Sequence, residues 1–402
     1  MMQNVLAGIK VVDVTMFAFM PMVGGVLSHW GADVIKVESP KSPDPMRLLS
    51  GGTLEPGASY QSFKNYNRGK RAVAIDLSTA EGQAVLYKLV ESADVFLTSY
   101  LPATRRKLKV DVDDIRAHNP NIVYVKGSGQ GPLGPDSERR AYDAAAWWAR
   151  GSLAHTAMTN AGAEWPIGMV GHGDTITGTV LAGGVCAALL ERERTGVARV
   201  VDGSLMGTAL WYNHQPIIAA GLGTTWGGGP MVRENHPASL NTYKTRDGRF
   251  LTLCFVNDPD GDWADLCEHL GHPELATDSR FSATSARVEN RAVAVGILDE
   301  IFAQKTLEEW KEALKTAHGV WAPVQTPAEM HDDPQVKANG FIRTVEYPPG
   351  PIRLPVPPVL FDQEAGDIGR APDFGEHTDA VLTEIGYNPE DLTRLRTDGV
   401  IA

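Results

Sequence analysis

At 402 residues, with 43% hydrophobic and 21% charged positions and 41 glycines, the chain is long enough for two cores or one elaborated core, and its usage excludes a disordered, collagenous or low-complexity protein. A formal net charge of −12 excludes a nucleic-acid partner, which needs clustered Lys and Arg against phosphates, but leaves room for a small anion held by a few local cations. The cysteines Cys186, Cys254 and Cys267 are too scattered for a disulfide framework or a zinc site, and neither a secretory leader nor a run of about 18 apolar residues occurs, so a cytoplasmic protein with no membrane partner and no metal is expected.

IKVVDV (9–14) is a β-branched strand run, the stretch through His29 is compatible with a helix, and ADVIKVE after Gly31 is a second strand. A crossover of that length makes a parallel βαβ unit, so a doubly wound α/β sheet is predicted. The form repeats with a strand at 72–77, a helix at 79–92, and strands at 93–98 and 121–126. After Tyr142, DAAAWWARGSLAHTAM reads as one buried helix; 175–193 is a second helix and 199–201 a strand. The composition then shifts to GLGTTWGGGP at 221–230, a flexible domain boundary. Beyond it, the RDG turn in TYKTRDGRFLTLCF predicts a hairpin, and helical patterns fill 259–317. YPPGPIRLPVPPVLF is too proline-rich for a helix and is expected to run extended, with a last helix at 378–385.

Gly129, Gly131 and Gly134 spell G-x-G-x-x-G after a strand, which is a dinucleotide fingerprint only if a helix begins there. Pro132 and Pro135 interrupt that helix, so a glycine loop lining another ligand is the better reading. No G-x-S-x-G elbow is present, and His172 with Asp174 lacks further ligands for a metal. The segment GMVGHGDTITG (168–178) is the most informative in the chain. Asp174, between a glycine-flanked turn and a helix start, has two readings. As a cap it accepts from the first free amides, worth about 1 kcal/mol. As a nucleophile it is kept ionised by the positive helix end, with Gly171 and Gly173 admitting a ligand carbonyl and nearby amides stabilising an oxyanion. Local spacing leaves both open.

LAGIKVVDV, GADVIKVESP with Arg47, NRGKRAVAIDL, ADVFLTSYLPA, HNPNIVYVKGSGQGPLGP and APDFGEHTDAVLTEIGY follow one another along the chain. In this order they resemble the class III CoA-transferases, the family that includes formyl-CoA transferase, carnitine CoA-transferase and alpha-methylacyl-CoA racemase. The resemblance runs nearly end to end. It implies that Asp174, with Gly173 and Gly178 on the family's G-D-x-x-x-G element, is a covalent nucleophile moving CoA from an acyl-CoA donor to an acceptor carboxylic acid through an aspartyl-CoA thioester. It also implies a Rossmann-like doubly wound parallel sheet with a second, smaller α+β domain, in an interlocked homodimer. The large CoA-binding domain would take 1–220 and 330–402 and the small one 231–325, with 221–230 and 326–360 as linkers and crossings. Racemases of the family place a His before the Asp at 143, where this chain has Tyr142 and Asp143. A tyrosine, with an ordinary pKa of about 10, is a poor base at neutral pH, so transfer is expected rather than racemisation.

The resemblance further places Asn67, Lys70 and Arg71 on the family's nucleotide-binding N-x-x-K-R element, and Lys107 and Arg140 where other members carry basic residues. Each is otherwise a solvated surface charge. CoA and acyl-CoA are expected as substrates, small carboxylic acids as partners, and no cofactor as permanently bound. Gly227, Gly228 and Gly229, together with the turn at Gly171 and Gly173, are the candidates for oxyanion stabilisation and for keeping water from an anhydride. Ala18 and Ser39 stand where formyl-CoA transferase has a Gln and an Arg that contact its ligands, so oxalate and formate chemistry is not expected. Tyr100 and Leu101 modify the family's N-F-R-P-G segment. YDAAAWWARGS looks most like the branch acting on aryl-lactates and related 2-hydroxy acids, with Trp147 and Trp148 either lining an apolar acyl pocket or packing as core aromatics.

Overall fold

Six short apolar runs form one parallel sheet: β1 (Lys10–Val14), β2 (Asp33–Glu38), β3 (Arg71–Ala74), β4 (Val95–Thr98), β5 (Val123–Ser128) and β6 (Val200–Ser204), in the order β3-β2-β1-β4-β5-β6. The computed structural model describes residues 4–166, 168–169, 171–225, 232–348, 350–366 and 368–402. Strands β1, β2 and β4 are buried on both faces, which is why KVVDV, DVIKVE and VFLT are continuous apolar runs rather than alternating ones. The helices that matter for the site are α1 (Phe19–His29), α2 (Gln61–Asn67), α3 (Ala80–Glu91), α4 (Pro102–Leu108), α5 (Val112–His118), α6 (Leu153–Ala161), α7 (His172–Thr195) and α8 (Leu205–Tyr212). One face of the sheet packs on α1, α2, α7 and α8. The other packs on α3, α5 and the C-terminal helices Thr378–Glu384 and Pro389–Thr397. Because β1 pairs with both β2 and β4, the winding reverses between them and leaves a crevice at their C-terminal ends, the place where ligands bind in such sheets.

The chain divides into two compact units, Met1–His155 with Ile167–Ile217 and Pro334–Ala402, and Thr156–Pro166 with Ile218–Asp333. The second is α+β. Its antiparallel sheet β7-β8-β9 (Thr242–Lys244, Phe250–Cys254, Val320–Pro323) closes on a core that includes Phe255, Trp263, Phe281, Phe302 and Trp310. The hairpin read from TYKTRDGRFLTLCF is its first pair, in register Thr242 to Thr252.

Several segments differ from the sequence reading for local reasons. The stretch after Tyr142 is not one helix: residues 144–150 are wound as a π-helix, and Ser152 at φ 64° breaks the chain before α6. Residues 326–360 hold structure of their own, the helix Pro334–Asn339 and the hairpin β10-β11 (Ile342–Val345, Ile352–Pro355). A second C-terminal helix follows the expected one, announced by an Asn388–Asp391 capping box and Pro389 at its first turn, and Ile401 then bridges to Ile75 beside β3. Helix α7 has the length and mean hydropathy, 1.4, of a membrane span, although its glycines, alanines and threonines hide this from a search for large apolar residues. It is a core helix: Gly178, Leu181, Ala182, Val185 and Leu189 are buried, and a Cβ on Gly178 would stand 2.6 Å from the Met22 Cβ of α1.

Three buried ion pairs tie the C-terminal ends of β1 and β2 to the segments that follow. Lys70 meets Asp13 at 2.7 Å, Lys36 meets Asp44 at 2.9 Å, and Arg47 meets Glu38 at 2.7 Å, all with side chains essentially out of solvent. Burial works against the Lys36 charge, yet Asp44, Asp13 and Glu38 hold its pKa above the ordinary value. At Lys70 burial wins over Asp13, and the ammonium is pulled down to about 8. Such pairs are costly to break because the survivor is an uncompensated buried charge. Lys70→Met is therefore expected to lower the unfolding free energy in urea by about 3–5 kcal/mol, and the double variant Asp13→Leu/Lys70→Met to recover most of that loss.

Candidate active site

Helix α7 ends at Thr195, shortly before β6 begins, so its first turn lies toward the C-terminal ends of the parallel strands. The turn is built for close approach. Gly171 takes φ 84°, and a Cβ on Gly173 would fall 2.2 Å from the Trp147 ring and 2.3 Å from Asp143 Oδ1. What caps the helix is Asp143, from the start of the π-helical segment: Oδ2 accepts the Gly171 N–H at 2.9 Å and Oδ1 the Asp174 N–H at 3.2 Å, with the Gly173 amide also donating to this carboxylate. Burial nevertheless holds the Asp143 carboxyl above its ordinary pKa, against those three amides.

Asp174 is thereby spared the capping task. It stands in the first turn, half-buried, and its carboxylate has no hydrogen-bond or ion-pair partner among the described residues. Burial, and then the neighbouring Asp143 charge, push its pKa up to about 7. A half-buried carboxylate without a partner among the described residues, poised between its two forms at neutral pH, is suited to nucleophilic or proton-transfer work.

The surroundings are aromatic. The Tyr66 hydroxyl of α2 is hydrogen-bonded with the Thr175 side chain and lies 3.2 Å from where a Cβ on Gly171 would stand. Burial raises its pKa; Thr175 opposes this, and the Asp174 and Asp143 charges add to it. Tyr142 is exposed and meets Phe17 edge to face at 5.2 Å, Phe17 itself being held at φ 66° while its N–H donates to Asp44. Trp147 is a core residue, whereas the Trp148 indole N–H donates to the Met169 carbonyl at 2.7 Å and fixes the segment leading into α7.

Comparison with known proteins then decides the family. The model of CoA-transferase family III matches residues 6–378. The (R)-2-hydroxy-4-methylpentanoate CoA-transferase of Clostridioides difficile is 30% identical, covering 98% of this chain and 99% of the relative. The cinnamoyl-CoA:phenyllactate CoA-transferase of Clostridium sporogenes is 28% identical, covering 98% and 97%. Among solved structures, a CAIB/BAIF family protein from Brucella suis superposes with a TM-score of 0.80 at 30% identity, covering 94% of this chain and 99% of that one. Rv3272 from Mycobacterium tuberculosis gives 0.77 at 28%, covering 93% and 97%. The chain belongs to CoA-transferase family III. Its parallel sheet and mixed α/β organisation are those implied by the resemblance read from the sequence, and its activity is CoA transfer between an acyl-CoA and a carboxylic acid.

Within that family frame, the structure brings Asp174, Asp143, Gly171 and Gly173 together and sets Tyr142 one residue before the cap. The other predicted residues scatter. Lys70 is wholly inside, bonded to Asp13, the Pro21 carbonyl and Asn67, while Asn67 donates to the Phe63 carbonyl; neither offers an atom to a nucleotide. Arg71 opens the edge strand β3 and is doubly paired with Asp33 and Glu384. Lys107 and Arg140 are exposed and without a carboxylate partner among the described residues. Gly227, Gly228 and Gly229 lie outside the described residues. The dinucleotide reading of Gly129–Gly134 finds no helix after that loop until residue 144.

Sequence reading missed Tyr66 as a neighbour of Asp174, because it sits one residue before a block valued for its basic residues. It also missed the capping role of Asp143, since a cap supplied from 31 positions away has no local signature. Asp143→Ala is expected to lower the unfolding free energy by about 1–2 kcal/mol, the usual worth of a helix cap at the upper end of its range. Denaturant titration checks it, and an unchanged midpoint would mean that the turn is held by something else.

Proposed function

We propose that Asp174 is the residue on which CoA is carried, and that the acceptors are 2-hydroxy acids with branched or aromatic side chains. The observation that supports the first part is the division of labour at α7, where Asp143 caps the helix and the Asp174 carboxylate has no partner among the described residues. Ionised Asp174 attacks the donor thioester carbonyl, the C–S bond breaks, and a mixed anhydride and CoA thiolate result. The thiolate attacks the aspartyl carbonyl, releasing the donor acid and leaving an aspartyl-CoA thioester. The acceptor carboxylate attacks that thioester and expels thiolate, which then takes the acceptor acyl group from the second anhydride and restores the Asp174 carboxylate. No net proton is needed.

Each tetrahedral intermediate requires donors at its oxygen. Since the Gly171, Gly173 and Asp174 amides already serve Asp143, the Tyr66 hydroxyl remains for this task. Lys107 and Arg140 meet the phosphates of CoA. The acceptor class rests on the two relatives named for 2-hydroxy-4-methylpentanoate and phenyllactate, and on the aromatic side chains at the α7 turn, Tyr66, Trp147 and Trp148. Tyr142 in place of a histidine speaks against racemisation. The working form is a cytoplasmic homodimer, in keeping with three free cysteines and with Val180, Leu190, Leu210, Trp211 and Tyr212 exposed on α7 and α8. Light scattering at the mass of a single chain would contradict the dimer.

Because the reaction needs the ionised form of a carboxyl held near 7, kcat/KM for the acyl-CoA is expected to rise with pH and level off above about 7. Asp143→Asn removes one of the two causes of the raised pKa and should move that midpoint downward. Asp174→Asn should abolish transfer. It should also raise the melting temperature strongly at about pH 8, less at about pH 5 and not at about pH 3: the folded protein keeps on Asp174 a proton that the unfolded chain has already released, so stability falls as pH climbs between the two pKa values, and a neutral amide escapes that loss. A flat pH profile, or an Asp174→Asn variant with wild-type turnover, contradicts the assignment.

Acceptor preference is read separately. With one common acyl-CoA donor, 2-hydroxy-4-methylpentanoate and phenyllactate should exceed succinate and glutarate by about tenfold or more in kcat/KM. Equal rates would remove the acceptor class and leave the role of Asp174 standing.

A further inference from the structure

The second unit contains a cavity of about 360 Å³ that uses none of the residues around Asp174. Its floor is buried and aromatic, made by Phe255 and Trp263 with Ala238 and Ala294. Its lip is aliphatic and wet: Leu240, Val256 and Val288 are 41%, 53% and 51% exposed. Three large apolar side chains left in water around one concavity of ligand size mark a binding site more readily than a packing defect.

The polar groups at its rim are unequal. Arg287 is committed: it donates to Asp260 and to the Phe281 and Pro259 carbonyls, and its guanidinium lies 5.6 Å from the Trp263 ring. Arg291 is not. Among the described residues its one hydrogen bond goes to the Val288 carbonyl at 3.0 Å, and it has no carboxylate partner there. An apolar chamber with one uncommitted guanidinium at its edge fits a molecule with an apolar body and a single anionic end. A thioester lacks that anion, and a CoA nucleotide needs several cations where the rim offers one.

We propose that this cavity is an ancillary binding site for a free monocarboxylic acid with a branched or aromatic body, its carboxylate on Arg291 and its body against Phe255 and Trp263. The site is separate from the one on which transfer takes place, so the free acid has a second address on the same chain.

The test is photolabelling of the full-length protein, in the absence of any acyl-CoA, with a diazirine-bearing aliphatic monocarboxylic acid, followed by peptide mapping. Label is expected on the peptides carrying Leu240, Val256 or Val288. Excess 3-phenylpropanoate should protect them, while its uncharged amide and CoA should not. Arg291→Gln should cut the labelling about tenfold or more, and Val256→Trp, at an exposed position where folding is not at stake, should block it by filling the mouth. Labelling confined to peptides of the other unit, equal protection by the amide, unchanged labelling of Arg291→Gln, or absence of label because a second copy covers the lip would each overturn the proposal. Loss of transfer in Asp174→Asn with this labelling intact would leave the inference standing apart from the catalytic assignment.

Discussion

The first turn of α7 depends on one carboxylate accepting hydrogen bonds from amides it is not next to in sequence. Asp143 satisfies the donors that every helix start leaves open, and by doing so from outside the helix it releases the side chain that would ordinarily do so. Asp174 is then left half-buried, beside a like charge, with no partner among the described residues, which is an unfavourable place for an ionised group. The unfavourable ground state and the reactivity have the same origin. A carboxylate that water and hydrogen bonds do not stabilise gains more by forming a bond to an acyl carbon.

The rest of the first unit holds that turn in place. Gly173 admits Trp147 and Asp143 to distances that a methyl group would occupy, so the π-helical segment and α7 form one packed joint. Gly178 brings α7 onto α1, and α1 leads directly from the end of β1, where Asp13 is paired with Lys70. The buried charges thus fix the loops around the crevice rather than contribute much net stability, the use for which such pairs are best suited. Residues that motif matching places on a nucleotide element, Asn67 and Lys70, belong in this structure to that scaffold.

Much of the architecture was legible because parallel strands buried on both faces write themselves as continuous apolar runs, and β1, β2 and β4 read that way. The RDG hairpin was legible from its turn residues, and the Asp174 segment from its glycines. What stayed hidden has physical reasons. The break at Gly151–Ser152 is invisible to periodicity, since AAAWWARGSLAHTAM keeps its apolar spacing while the backbone turns left-handed at Ser152. The helix Pro389–Thr397 was announced by Asn388 and Pro389 but is too polar for a hydrophobic search. Whether Asp174 caps or reacts depends on Asp143, a tertiary contact, so the local sequence had to leave it open.

The central claim is that Asp174 forms a covalent bond to CoA. The most direct measurement is mass spectrometry of the intact protein and its peptides after mixing with an acyl-CoA in the absence of any acceptor acid, quenched at low pH to preserve the thioester. The account predicts a CoA adduct that maps to the peptide carrying Asp174, disappears on adding the acceptor, and is absent from Asp174→Asn. An adduct on another residue, or turnover with no adduct at any time, would contradict it.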